Sequence, residues 1–168
     1  LNYQHPDIQP QLLDGVPPQP QPLSGPMSNH GVECAALAVA PINGQGMVGV
    51  APDAFLYPYE FRFGDPNFAA PSKLMDYLDD IDQRAWPGFD VVNMSWAITG
   101  LTPQQQSDIE WRLERLYNSG IPLFAARGEP SDYPAASQWV CAVQGVKRYP
   151  YQGFCNTTAA VRAPCSDF

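Results

Sequence analysis

The chain has 168 residues, 45% of them apolar, 12% aromatic and only 15% charged. That is a globular composition at the length of one domain with a sizeable core, and it excludes wholesale disorder despite 19 prolines. Seventeen acidic against nine basic residues, a net charge of −8, exclude nucleic acid as a partner and oppose an anionic membrane surface, but admit metal cations.

No run of 18 apolar residues occurs, so no membrane-spanning helix is expected. The opening residues carry neither a basic start nor an apolar stretch, so no signal peptide reads in this chain, and the lack of an initiating Met reads as a processed or excised chain.

In chain order, residues 6–26 hold seven prolines, which predicts an extended segment wrapped on the surface, neither helix nor central strand. Small apolar residues over 31–40 predict a buried helix, broken by the Pro41-Ile42-Asn43-Gly44-Gln45-Gly46 turn. Residues 47–51 and 54–61 read as two strands. Over 72–84, Leu74, Tyr77, Leu78 and Ile81 recur at helical spacing, and Asp76, Asp79, Asp80 and Asp82 are read as a solvated acidic face.

Residues 89–94 (FDVVNM) have the continuous apolar character of a strand buried on both sides. Thr102, Pro103 and Gln105 form a helix-start signature, with Ile109, Leu113 and Leu116 as the inner face and Gly120 as the stop. Two further buried strands are predicted over 121–126 and 139–146. Buried strands alternating with amphipathic helices predict a three-layer α/β fold, a mostly parallel sheet with helices on both faces, whose ligands bind at the carboxyl ends of the strands.

The four cysteines, 34, 141, 155 and 165, match no zinc spacing. Cys34 and Cys141 sit in apolar runs and are read as buried free thiols, while Cys155 and Cys165 lie in polar sequence where a local disulfide would fit a secreted origin. Asn156-Thr157-Thr158 has the form of a glycosylation acceptor.

Six short motifs run collinearly: Tyr3-Gln4-His5-Pro6-Asp7-Ile8, His30-Gly31-Val32-Glu33-Cys34-Ala35, Val48-Gly49-Val50-Ala51-Pro52, Asp90-Val91-Val92-Asn93-Met94-Ser95, Tyr133-Pro134-Ala135 and Ala163-Pro164. In this order they resemble the subtilisin-like serine peptidases, and the cysteine after His-Gly is similar to the HGxxCA form of the kexin and proteinase K branches. The resemblance covers essentially the whole chain. It implies a single partial peptidase domain over 1–168, with 1–28 as the Pro-rich wrapping segment and 29–168 as the α/β core.

That resemblance places His30 on the general-base position of a Ser/His/Asp acyl-transfer mechanism. The triad aspartate would stand before Leu1 and the nucleophile motif after Pro164, so His30 alone of the triad lies on this chain, which is expected to be inactive by itself. Gly128 takes the position of the oxyanion asparagine and offers no side-chain donor; loss of one such donor costs about 2.7–4 kcal/mol in the transition state. Ser95, Trp96, Ala97 and Arg127 fall on the substrate cleft.

The resemblance also implies a calcium site from Asp7 and Asn43, with the carbonyls of Pro41, Gln45 and Met47, a set of hard oxygen donors that suits Ca²⁺. The expected partner is a peptide or protein, joined by the remaining segments of the same peptidase, in a secreted or extracytoplasmic setting. Two rival readings are a pseudoprotease that binds an extended peptide by strand addition along 95–98, and a calcium-stabilised structural module with no cleft function.

Overall fold

The computed structural model describes residues 5–13, 30–59, 70–84, 88–129 and 131–144. The chain divides into two compact units, Leu1–Glu60 and Phe61–Phe168.

In the first unit, helix α1 (His30–Val39) buries Val32, Ala35 and Ala36 against Ile8, with Ala40 at its end and Leu12, Met47 and Leu56 packed around the cluster. Small side chains suit this helix because they let neighbouring backbone approach closely. Residues 47–51 are not a strand. The N–H groups of Gly49, Val50 and Ala51 donate to the carbonyls of Ala40, Leu37 and Ala38 at 2.9, 3.0 and 2.8 Å, satisfying the open end of α1 instead of joining a ladder. The strand expected over 54–61 is likewise reduced, within its described part, to one parallel bridge between Leu12 and Leu56.

The proline-containing segment is more than a surface wrap where it is described. Gln9–Gln11 form a short 3-10 turn, Ile8 is fully buried, and Gln11 is buried with its side-chain amide donating to the Pro52 carbonyl. The prolines at 17, 18, 20, 22 and 26 lie outside the described residues.

The second unit contains α2 (Ala70–Gln83), β1 (Val92–Met94), α3 (Pro103–Asn118), β2 (Leu123–Ala126) and β3 (Cys141–Val143). The strands form a parallel sheet in the order β1-β2-β3, with Val92 opposite Leu123 and Phe124 opposite Cys141. Helix α3 starts as its sequence predicts. The Thr102 hydroxyl accepts from the Gln105 N–H at 3.2 Å, and the Gln105 side chain accepts from the Thr102 N–H at 2.9 Å. The helix closes at Ser119, followed by Gly120 at φ 81°.

Ile109, Leu113 and Leu116 are completely buried, and α3 packs against both α2 and β2. From α2 come Leu74, Leu78 and Ile81; from the sheet Met94, Leu123, Ala125 and Ala142. The acidic residues of α2 are not simply solvated. Asp79 is bonded to Arg112 and Asp82 to Arg115 on α3, while Asp76 pairs with Lys73 along α2 and Asp80 with Arg84 just past its end.

Cys34 is a free, half-buried thiol. Cys141, expected to be free, is instead disulfide-bonded. Its apolar flanks reflect its place on strand β3, beside the buried Ala142, and carry no information about its oxidation state. Its partner, Cys155, Cys165, Asn156 and the Ala163-Pro164 turn all lie outside the described residues.

Candidate functional site

His30 is the first residue of α1, exposed, at the point where Gly31 leads into the small-residue helix. One turn on, the Cys34 Sγ lies 3.8 Å from its Nδ1 and 3.7 Å from its Nε2. This brings together the two residues that mark the HGxxCA motif, since positions four apart share a helix face.

The candidate cleft residues belong to the second unit. Ser95, Trp96 and Ala97 follow β1 directly, and Arg127 and Gly128 follow β2. Because β1 and β2 are parallel neighbours, both loops leave the same carboxyl edge of the sheet, where open α/β sheets bind ligands. All three residues after β1 are half-buried, and the Ser95 hydroxyl accepts from the Asn93 side-chain amide at 2.8 Å.

Ile98 and Tyr133 form an antiparallel bridge, with N–H···O distances of 2.7 and 3.1 Å in the two directions. Beyond β2, the Arg127 N–H prolongs the ladder by donating to the Val143 carbonyl at 2.8 Å. Arg127 is half-buried and Gly128 exposed.

Two groups that the sequence does not single out organise this edge. Asp132 is buried, and its Oδ2 accepts from the Glu129 N–H at 2.8 Å, closing the Glu129–Asp132 turn that directly follows Gly128. Its sequence signal, a short acid a few residues beyond a glycine, is common in turns and points to no particular partner.

Glu110, from α3, accepts from the Ser137 hydroxyl at 2.9 Å and from the Tyr133 hydroxyl. Burial, the hydrogen bond to Glu110 and its negative charge together push the Tyr133 phenol up to about 12. A single helix side chain thus holds two points of the 133–137 segment.

The candidate metal residues belong to the first unit. Asp7 is buried, with its Oδ2 3.5 Å from the Met47 N–H and its Oδ1 without a hydrogen-bond partner among the described residues. A Cβ at Gly46 would collide with both carboxylate oxygens, so only glycine lets the loop cross this close to Asp7.

The structure therefore brings Asp7 together with Met47. The Asn43 side-chain oxygen accepts from the Gln45 N–H at 2.9 Å, and the Pro41 carbonyl accepts from the Asn43 N–H at 3.1 Å. Among the described residues no group of three or more His, Cys, Asp or Glu side chains could hold a metal; the candidate donors here are the Asp7 carboxylate and neutral oxygens.

A family model described as the Subtilase family matches residues 1–166. The chain is 31% identical over 121 residues to the minor extracellular protease Epr of Bacillus subtilis, which covers 69% of this chain and 18% of that protein. It is 34% identical over 92 residues to a probable subtilase-type serine protease of Deinococcus radiodurans, covering 54% of this chain and 12% of that one.

Among solved structures, an S41 psychrophilic protease aligns at a TM-score of 0.65 and 22% identity, covering 89% of this chain and 51% of that one. Sphericase aligns at 0.53 and 21%, covering 67% and 39%. At these identities the structural likeness establishes the α/β fold. The chain spans about half of the S41 protease and under a fifth of either sequence relative.

Proposed function

Because the chain belongs to the Subtilase family, we propose that it forms part of a subtilisin-like serine endopeptidase domain that cleaves peptide bonds by Ser/His/Asp acyl transfer. In this reading His30 is the general base and Ser95, Trp96, Ala97 and Arg127 line the substrate cleft. The observation that supports it is the placement of the loops after β1 and β2 on one carboxyl edge of a parallel sheet. The base takes the serine proton as the hydroxyl attacks and returns it to the leaving amine, and an aspartate holds its tautomer.

The nucleophile and the aspartate belong, on this proposal, to segments outside 1–168, which act as partners of this chain. The relatives' much greater length supports that division. The 168 residues alone then hydrolyse nothing. Incubation with a fluorophosphonate serine probe should leave them unlabelled; covalent labelling would overturn this.

A second reading, a pseudoprotease that binds an extended peptide along 95–98, is favoured by Gly128, which offers no side-chain donor at the oxyanion position. Retained capture of peptides from a broad library, without labelling by the probe, supports it over the first. The His30–Cys34 pair supports placement in the HGxxCA branch, and the B. subtilis relative, an extracellular protease by name, supports a secreted setting.

Calcium is part of the proposal. The donors present fit it: the unsatisfied Asp7 Oδ1 is a buried hard oxygen in need of a cation or donor, beside a loop rich in carbonyls. Asp7 and Asn43 side chains and the Pro41, Gln45 and Met47 carbonyls would hold the ion. When bound it would tie residues 5–13 to the 41–47 loop, a structural role.

A further inference from the structure

We propose that Asp132 keeps position 128 free of any side chain, so that no side-chain donor can stand at this position while the aspartate remains. The proposal rests on the assignment of Gly128 to the oxyanion position. A Cβ built on Gly128 would stand 2.6 Å from Asp132 Oδ2 and 3.9 Å from its Cγ, the first well inside van der Waals contact. The left-handed backbone that ordinarily demands glycine does not apply, because Gly128 is not among the glycines with positive φ. Space alone excludes a side chain there.

The obstructing oxygen is not free to swing away. Oδ2 accepts the Glu129 N–H at 2.8 Å, and Asp132 is only 8% exposed, so moving the carboxylate would forfeit a part-buried hydrogen bond with little room for another. Its backbone is pinned as well. The Asp132 N–H donates to the Glu129 carbonyl at 3.1 Å, and the Asp132 carbonyl accepts from the Ala136 N–H at 2.8 Å.

Tyr133, next in the chain, is bridged in both directions to Ile98 and bonded through its hydroxyl to Glu110. The Glu129–Asp132 turn is thus closed by a carboxylate in the very space that an asparagine at 128 would need. A change of Gly128→Asn is therefore not a simple reversion, and a donor at 128 requires a second change at 132.

The test compares thermal melting of the full chain with and without Gly128→Ala in three backgrounds: the parent chain, Asp132→Asn and Asp132→Ala. Asparagine retains both the acceptor and the bulk, whereas alanine removes both. Gly128→Ala should lower the melting temperature by at least about 2–4 °C in the parent and Asp132→Asn backgrounds, a shift readily measured in a chain of this size. In the Asp132→Ala background the shift should vanish or reverse, since glycine replacement at an unstrained site is stabilising in itself.

Equal shifts in all three backgrounds, or none in the parent chain, overturn the proposal. Should Asp132→Ala not fold, Asp132→Ser, with its shorter reach, serves the same comparison. The readout is stability, so the result stands or falls independently of the peptidase assays.

Discussion

The guanidinium of Arg112 on α3 meets the carboxylate of Asp79 on α2 through two hydrogen bonds, Nε to Oδ1 at 2.8 Å and Nη2 to Oδ2 at 2.9 Å. The third arm of the fork, Nη1, donates to the Asp108 carbonyl at 2.9 Å, so one side chain ties α2 to the backbone of α3. Arg112 and Arg115 both lie against the ring of Trp111, at 5.6 and 4.7 Å from its centroid.

Arg112→Ala should therefore lower stability by about 1 kcal/mol, the upper end for a partly exposed pair because the geometry is bidentate. Urea unfolding at low and high salt is the measurement. Arg112→Lys should recover only part of the loss, since an ammonium cannot make the paired contact. Full recovery by lysine would show that charge alone matters.

Thr102→Ala removes one half of the capping box and leaves the Gln105 N–H without its side-chain acceptor. A loss of about 1 kcal/mol is expected, with Thr102→Ser close to the parent protein. Thermal melting checks this, and amide exchange should accelerate first in the opening turn of α3.

The raised Tyr133 phenol predicts an alkaline loss of stability. The folded chain holds the proton to about pH 12, whereas the unfolded chain releases it near its ordinary value of 10.0. Between these the unfolded state binds fewer protons, so stability falls as pH rises from about 10 to 12 and is fully present below 10. Tyr133→Phe should flatten that part of the profile. If melting temperatures of the two proteins run parallel across it, the phenol is not the cause.

Calcium binding to the native chain alone must raise its melting temperature, by the equivalent of about 2.7 kcal/mol at 100 times the dissociation constant. Addition of Ca²⁺ after chelation should produce this rise, and Asp7→Asn should abolish most of it. An unchanged melting temperature on chelation removes calcium from the proposal.

Helices α1, α2 and α3 and the parallel strands are legible in the sequence because each carries its own periodic or continuous apolar pattern, and the family because its motifs are short and local. Residues 47–51 read falsely as a strand for a related reason. Their short apolar run suits a ladder, yet the N–H groups of Gly49, Val50 and Ala51 are taken by the open end of α1. Cys141 reads falsely as a free thiol because its strand context says nothing about a remote sulfur.

The kind of element at each stretch, the α/β class and the family follow from neighbours along the chain. Which groups face one another follows only from the folded arrangement. Asp7 meets the 46–47 loop, Asp79 meets Arg112, Glu110 gathers Tyr133 and Ser137, and Asp132 stands over Gly128. The physical reason is that such contacts depend on how loops close and helices pack, which side-chain periodicity does not encode. An exclusion such as that at Gly128 depends in turn on space, and space is defined only once the atoms are placed.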